Sequence, residues 1–266
     1  MKELDDILKT KYSVPALEKT IAILGYLSRH RGGLPMSDLV NALKLPKTSV
    51  FSILQTLEAH NYIQKDKKGL FRLGLKLYSL GMASLRNLDT KDDFLPYLEQ
   101  LRDDTHFTVH LVAYDKGETV CIEKIEGPGM IRFLSYVGER KLMNTSSGGK
   151  AIAAYLPEND LRVIIAKGFN CLTPNSITNE HAFRDHLAQI REYGYAVDDE
   201  EGEIGIRCLG APIFMEDGFI FGAVSLSTLK NNLPAQKFPE YSEKLMKVAE
   251  ELSRLLGYTG PYPKRR

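Results

Sequence analysis

Long apolar runs are absent from this chain of 266 residues. No stretch approaches the roughly 18 apolar residues that a membrane-spanning helix needs. Residues 1–13 are charged and have no apolar core of the kind found in a secretory signal. We therefore expect no membrane partner.

Cysteine is scarce as well. Cys121, Cys171 and Cys208 lie far apart, form no CxxC pair for zinc, and are odd in number, which does not suit a disulfide framework. The six histidines are scattered along the chain. The sequence therefore predicts no metal site and a location in the reducing cytoplasm.

The glycine motifs of nucleotide-binding proteins are also missing. No GxGxxG follows a predicted strand, and the loop at residues 145–151 lacks the GxxxxGK[ST] spacing of a phosphate-binding loop. We expect no cofactor.

Positive and negative charges, in contrast, are concentrated in different parts of the chain. Residues 13–76 hold ten Lys and Arg against four Asp and Glu, a net charge of +6. Residues 77–266 hold 22 against 27, a net charge of −5. A small basic domain joined to a larger acidic one suits a polyanionic partner at one end.

The basic part has the pattern of a winged helix-turn-helix, which we place at residues 13–75 after a tail at 1–12. Leu17, Ile21 and Leu27 recur near helical spacing and predict a first helix over 15–30.

A second helix should be capped by Ser37, and the Leu45-Pro46 pair should separate it from a third, since the residue before proline disfavours helical geometry. Residues 63–73 then read as a hairpin with a basic tip, the wing.

In the third helix, Val50, Ile53, Leu54 and Leu57 form an apolar face that must pack on the other helices. The opposite face and the wing carry side chains that suit phosphates and base edges. These candidate DNA contacts are Lys47, Thr48, Ser49, Ser52, Gln55, Lys67 and Lys68. The alternative is a helical bundle whose polar face is merely solvated.

Four segments of this module match a known family: Val14-Pro15-Ala16-Leu17-Glu18-Lys19, Leu45-Pro46-Lys47-Thr48-Ser49-Val50, Leu54-Gln55-Thr56-Leu57 and Phe71-Arg72-Leu73-Gly74. On these residues the module resembles that of bacterial transcriptional regulators of the IclR type. Family members often have Arg where this chain has Ser52, so operator preference cannot be transferred.

A linker helix is predicted at residues 76–91, where Leu77, Leu80 and Ser84 recur at helical intervals, extended by Leu73 and Leu88. Its apolar stripe could pack on a partner subunit or on the chain's own domains. The family resemblance implies the former, a homodimer that can associate into a tetramer. Paired recognition helices would then bind a roughly palindromic operator.

The remainder predicts an α+β domain with an antiparallel sheet at residues 92–258, followed by a tail at 259–266. Turn residues separate strand patterns, and helical patterns lie between them. The expected strands are 107–114, 118–125, 130–136, 206–214 and 219–227. The expected helices are 92–104, 149–156, 179–193 and 239–256.

Two segments of this domain could bind a ligand. The small-residue loop at 145–151 precedes a helix, whose free backbone N–H groups would suit a carboxylate, although such a loop is more often a simple turn. The second segment contains four consecutive acidic residues at 198–201, and such a run usually forms a solvated loop.

Both segments, together with Ala223-Val224-Ser225-Leu226-Ser227, resemble the GAF-like effector-binding domain of the same family. The resemblance implies a small carboxylic or hydroxy acid as effector, such as a sugar acid, keto acid or aromatic acid. An apolar wall from Ile131, Phe133 or Ile206 would exclude large polar molecules. By position, the implied effector contacts are Ser147, Gly148, Asp198, Ile206, Cys208, Ser225 and Ser227.

Cys208 could instead be a nucleophile with His106 or His110 as base, but one Cys with a distant His is a weak signal. We expect a DNA-binding regulator without catalytic activity, more specifically a repressor relieved by its effector, with activation left open. The competing hypothesis is a sensor or enzyme whose helical module binds protein and not DNA.

Overall fold

The computed structural model describes residues 13–30, 32–86, 91–129 and 132–263. The chain divides into two compact units, one formed by residues up to 88 and the other by residues from 89 onward. The predicted tail at 1–12 and Leu88 lie outside the described residues.

Helices and one hairpin build the described part of the first unit. Its elements are α1 (Pro15–Ser28), α2 (Met36–Leu43), α3 (Lys47–Ala59), β1 (Ile63–Lys65), β2 (Phe71–Leu73) and α4 (Leu75–Arg86). Strands β1 and β2 pair antiparallel, with Ile63 opposite Leu73. The helix-turn-helix and its wing are therefore present.

Prolines set the helix starts in this unit. Pro15 is the first residue of α1, and Pro46 is the N-cap of α3. Both positions tolerate proline, because the first turn of a helix has no use for the missing N–H. The expected Ser37 cap is wrong: α2 begins two residues earlier, at Met36 after its N-cap Pro35, and the Ser37 hydroxyl donates to Asp38.

The core of the first unit lies between the three helices and the hairpin. Its fully buried members include Ile23, Val50 and Leu54, with Phe71 from the wing. The apolar face predicted for α3 thus packs inward.

The described part of the second unit contains six strands and five α-helices. These are α5 (Lys91–Thr105), β3 (Thr108–Asp115), β4 (Glu118–Ile125), β5 (Arg140–Leu142), α6 (Ser147–Ala153), α7 (Glu158–Ala166), α8 (Glu180–Tyr193), β6 (Ala196–Asp199), β7 (Ile206–Phe214), β8 (Ile220–Leu229) and α9 (Phe238–Leu255).

The six strands form one antiparallel sheet in the order β5-β4-β3-β8-β7-β6. Helices α5 and α9 pack on one face, where Leu111, Leu209 and Leu226 are buried. Helix α6 packs on the other face, which carries the polar residues described below. The α+β class with an antiparallel sheet is confirmed.

The prediction of a strand at 130–136 is wrong. The structure describes residues 132–136 of this segment, and they form no strand. The edge strand is β5 instead, paired with β4. Lys124 Nζ donates to the carbonyl oxygens of Phe133 (2.7 Å) and Ser135 (2.9 Å). These side-chain contacts take carbonyls that a sheet ladder would use.

Besides β5, two further elements were not expected. Strand β6 contains Asp198 and Asp199, in an acidic run of the kind that usually forms a solvated loop. Helix α7 lies in a stretch for which no element was predicted.

Residues 259–263, expected to belong to a tail, pack against the second unit. The Tyr262 hydroxyl donates to the Pro212 carbonyl oxygen at 2.8 Å, and its ring lies edge-on to Phe214.

Across the described ranges, no helix is long and apolar enough to cross a bilayer. The same ranges contain no cluster of three or more His, Cys, Asp or Glu side chains that could hold a metal ion.

Candidate functional site

The outward face of α3 carries most of the predicted DNA contacts. Lys47, Thr48, Ser52 and Gln55 are exposed, and Ser49 is half-buried at the edge of the core. These side chains are left available because Val50 and Leu54 take the inward positions.

Phe51 on the same helix was not predicted as part of this face. It is 54% exposed, one turn after Lys47 and one turn before Gln55. Its position in the helical repeat could have shown this, since it falls outside the apolar stripe.

The wing tip is ordered by Asp66. Its Oδ1 accepts the backbone N–H groups of Lys68 (2.9 Å) and Leu70 (3.0 Å), and its Oδ2 accepts from Arg72 at 3.3 Å. These bonds hold a tight turn from which Lys67 and Lys68 project, both exposed.

The second unit contains a cavity of about 550 Å³ against the sheet face that α6 covers, which we call the sheet cavity. Every effector contact implied by the resemblance lines it: Ser147, Gly148, Asp198, Ile206, Cys208, Ser225 and Ser227. Phe133 and Ile206 supply apolar wall, as expected, whereas Ile131 lies outside the described residues.

Strand register explains why residues distant in sequence meet at this cavity. Asp198, Cys208, Ser227 and Thr108 are successive cross-strand neighbours on β6, β7, β8 and β3. Directly opposite residues in antiparallel strands lie on the same face, about 5 Å apart. Asp198, Cys208 and Ser227 from this row line the cavity.

A second row of cross-strand neighbours, next to the first, contains Gly210, Ser225 and His110. Glycine is required at position 210 because α6 begins directly above it. A Cβ there would lie 2.6 Å from the carbonyl carbon of Ser147 and 2.8 Å from the nitrogen of Gly148.

Helix α6 starts earlier than expected, so Ser147 and Gly148 belong to its first turn. Ser146 is the N-cap, and its hydroxyl accepts the Gly149 N–H at 3.1 Å. The cavity is thus lined by the start of this helix.

Asp198 is almost fully buried at the end of β6. Its Oδ1 accepts the backbone N–H groups of Glu201 (2.8 Å) and Gly202 (3.4 Å). Burial raises the pKa of this carboxyl, while the charge of Lys150 and the two N–H donors oppose the shift.

Lys150 and Glu201 form a buried ion pair that sequence reasoning missed. Lys150 is fully buried, and its ammonium donates to Glu201 Oε2 and to the Val197 carbonyl oxygen. Burial raises the pKa of Glu201 to about 6, with the attraction of Lys150 offsetting part of the effect. The pair connects α6 to the turn that follows Asp198.

His110, also missed as a cavity residue, joins two sides of the cavity. Its Nε2 lies 2.8 Å from Ser135 Oγ, and its Nδ1 lies 3.5 Å from Ser227 Oγ. Burial lowers the pKa of His110 to about 3, so the ring is neutral near pH 7.

The Ser227 hydroxyl continues this network by donating to Cys208 Sγ at 3.2 Å. Burial and the nearby Asp198 raise the pKa of Cys208 well above its ordinary value, so the sulfur is a thiol. His110 contacts it only through Ser227, and the two groups do not form the thiolate and imidazolium pair of an activated cysteine.

Strand β5 adds cations to the cavity lining that the sequence did not indicate. Arg140 and Lys141 line it and are exposed. The Arg140 guanidinium pairs with Glu118 (2.7 Å) and Asp115 (2.9 Å), and Lys141 with Glu139 at 3.5 Å.

Comparison with known proteins assigns this combination of units. Residues 82–254 match the family model described as bacterial transcriptional regulator IclR, C-terminal, and residues 16–67 match the IclR helix-turn-helix domain. The chain belongs to the IclR family.

Two curated IclR-family relatives from Escherichia coli K12 match nearly end to end. The transcriptional regulator XynR is 32% identical over 247 residues, covering 92% of this chain and 98% of XynR. The transcriptional repressor AllR is 30% identical over 244 residues, covering 91% of this chain and 90% of AllR.

Solved IclR structures agree. The Thermotoga maritima IclR is 33% identical with a TM-score of 0.71, covering 91% of this chain and 98% of that one. An IclR homolog from Microbacterium hydrocarbonoxydans, complexed with 4-hydroxybenzoate, has the same fold at 20% identity, with a TM-score of 0.78 and coverage of 91% and 98%.

As an IclR-family member, the chain is a DNA-binding transcriptional regulator with an effector-binding domain, and it is not an enzyme. The resemblance inferred from the sequence is confirmed. The competing hypothesis of a helical module that binds protein is wrong, because that module matches the IclR helix-turn-helix domain.

Proposed function

We propose that this regulator is a repressor that releases its operator when a small carboxylic or hydroxy acid binds in the sheet cavity. The observation that carries the proposal is the convergence of Ser147, Asp198, Cys208 and Ser225 on one cavity. Its volume of about 550 Å³ falls in the range of small-molecule sites, roughly 300–1,000 Å³.

The chemistry of the lining supports an acid with hydroxyl groups. Ser225, Ser227 and His110 supply neutral groups that can hydrogen bond to a hydroxyl or a carboxylate. Arg140 and Lys141 supply positive charge for a carboxylate. Phe133 provides an apolar side against which a carbon skeleton or an aromatic ring can pack.

Asp198 favours a ligand that can donate a hydrogen bond from a hydroxyl group. Its Oδ1 is occupied by backbone N–H groups, and Oδ2 can accept from a ligand hydroxyl or a bound water. The homolog solved with 4-hydroxybenzoate, a hydroxy acid, supports the same ligand class.

Lys47, Thr48, Ser49, Ser52 and Gln55 are proposed to contact operator DNA from α3 in the major groove, with Lys67 and Lys68 on the flanking phosphates. Exposure of the α3 face and the ordered, basic wing tip support this placement. We also infer a cytoplasmic location, which the DNA-binding role supports.

We infer a homodimer formed through the first unit, with association into a tetramer as the family resemblance implies. Helix α1 exposes Leu17 (59%) and Ile21 (65%), and α4 exposes Leu75 and Tyr78. Apolar side chains clustered on the surface mark association sites. Replacing Leu17 and Ile21 with Glu should yield monomers in sedimentation velocity; unchanged association would contradict this interface.

The mechanism is a coupling free energy. Effector and operator favour different arrangements of the same dimer, so each lowers the affinity of the other by one common factor.

A thermal-shift screen of small carboxylic and hydroxy acids tests the effector site. A ligand at one hundred times its Kd stabilises the folded state by about 2.7 kcal/mol. We expect a hit with wild-type protein that Asp198→Ala and Ser225→Ala abolish. A shift that persists unchanged in both variants would remove the cavity from the proposal.

Salt dependence tests the DNA contacts. Replacing Lys67 and Lys68 with Ala should reduce the slope of log affinity against log salt by about one unit for each lost phosphate contact. Lys247→Ala, an exposed lysine on α9, is the control and should leave the slope unchanged. An unchanged slope in the wing variants would contradict the wing contacts.

A further inference from the structure

One large apolar side chain lies on the outward face of α3. Phe51 is 54% exposed, whereas Val50 beside it is fully buried. Residues four apart on a helix share a face, so Phe51 lies between Lys47 and Gln55. Phe51 is therefore inside the surface proposed to contact DNA.

The predicted contacts around Phe51 offer polar chemistry. Lys47 suits a phosphate oxygen, and Ser52 and Gln55 can hydrogen bond to base edges. A phenyl ring does neither. In the major groove, the apolar feature of a base pair is the 5-methyl group of thymine, and Phe is among the side chains that contact it.

We propose that Phe51 selects thymine at one position of each operator half-site through contact between its ring and the 5-methyl group. The inference rests on the proposed placement of α3 in the major groove. Phe51 would thus give α3, which has Ser at position 52, an apolar contact with a base.

The expected effect follows from the area removed from water. Burial of one methyl-sized group contributes about 0.8 kcal/mol, which corresponds to about a fourfold change in affinity. A dimer with two half-sites should lose about fourfold for each thymine methyl removed.

Uracil substitution tests the contact without changing the protein, because uracil differs from thymine only in lacking the methyl group. The probe is a duplex selected from a random pool by the wild-type protein. Each thymine in the half-sites is replaced in turn by deoxyuridine. At one position per half-site, wild-type affinity should fall about fourfold, and Phe51→Ala should bind the two duplexes equally.

Phe219→Ala is the matched control. Phe219 is 57% exposed but lies in the second unit, so this variant should retain the wild-type ratio of thymine to uracil affinity. Phe51→Ala should also keep the wild-type salt slope, because a ring-to-methyl contact releases no counterion.

Equal wild-type affinity for every thymine and uracil duplex would overturn the proposal, as would a thymine preference that survives in Phe51→Ala. Loss of dimerisation in Phe51→Ala with an unchanged thymine preference would assign the ring to a protein contact and overturn it as well. These results differ from failure of the proposed DNA-binding surface, in which the Lys67 and Lys68 variants keep the wild-type salt slope.

Discussion

Cys208 and His110 are close in the sheet cavity, yet their surroundings hold both in neutral forms. Burial raises the pKa of Cys208 and lowers that of His110 to about 3. The sulfur therefore packs as a small group that accepts the Ser227 hydroxyl. Sequence alone could place Cys208 among candidate nucleophiles, because chain position carries no information on burial.

Thiol labelling checks this assignment. Iodoacetamide at pH 7.5 should modify Cys171, which is exposed, much faster than Cys208 or Cys121. Burial raises the pKa of Cys121 to about 11, so little thiolate forms there as well. Peptide mass spectrometry gives the rates. Labelling of Cys208, which is half-buried, as fast as Cys171 would contradict an inert thiol.

The Lys150–Glu201 pair should be costly to break from one side. Lys150→Met leaves a buried carboxylate without its partner, and such changes cost roughly 3–5 kcal/mol of unfolding free energy. Combining it with Glu201→Gln should recover part of the loss. Denaturant unfolding of both single variants and the double variant measures the coupling. Additive losses would mean that the pair is not coupled.

Glu201 also gives a pH dependence of defined sign. Its folded pKa of about 6 exceeds the ordinary value of 4.5. The folded state then binds more protons between these values, so unfolding free energy falls as pH rises from about 4.5 to 6, on the order of 2 kcal/mol.

Glu201→Gln should remove this contribution. His110 acts with the opposite sign between about 3 and 6.5, but it is present in both proteins, so the difference between them isolates Glu201. Unfolding free energies of wild type and variant at pH 4.5 and 7 provide the measurement. A constant difference would contradict the raised pKa.

Among the helices and strands, the periodicity of apolar residues predicted the elements that bury one face. The apolar stripe of α3, the proline before it and the strand patterns of β7 and β8 all satisfied local rules that also hold in the folded state. The elements that sequence missed depend on partners elsewhere in the chain.

Strand β6 illustrates that limit. Its two aspartates indicated a solvated loop, but Asp199 pairs with Arg207 on β7 at 2.6 Å, and Asp198 accepts N–H groups from the following turn. A single acidic run does not reveal such partners. The cavity residues came from the family resemblance, whereas the Lys150–Glu201 pair and the contacts of His110 with Ser135 and Ser227 depend on the folded structure.

The junction between α6 and the sheet provides a prediction at this scale. In Gly210→Ala, the new Cβ would lie 2.6 Å from the backbone of Ser147, so the start of α6 must move away from β7. Effector affinity should fall at least tenfold while operator affinity stays near wild type. Calorimetry with the acid from the screen measures the first quantity. Undiminished effector affinity would show that α6 need not lie against Gly210.

At the scale of the whole molecule, charge and function divide together. The basic first unit carries the helix-turn-helix, and the acidic remainder carries the sheet cavity. The sequence predicted this division from charge and pattern. It could not predict the effector, because identity depends on how the cavity residues are arranged around a ligand.

In the proposed mechanism, occupancy of the sheet cavity controls DNA binding by the first unit. The most direct measurement is operator affinity with and without saturating effector, in wild type and in Asp198→Ala. We predict that saturating effector weakens operator affinity 5- to 150-fold in wild type. In Asp198→Ala it should leave operator affinity unchanged, and the affinity of this variant without effector should stay near that of wild type. An equal effector response in both proteins would contradict the account.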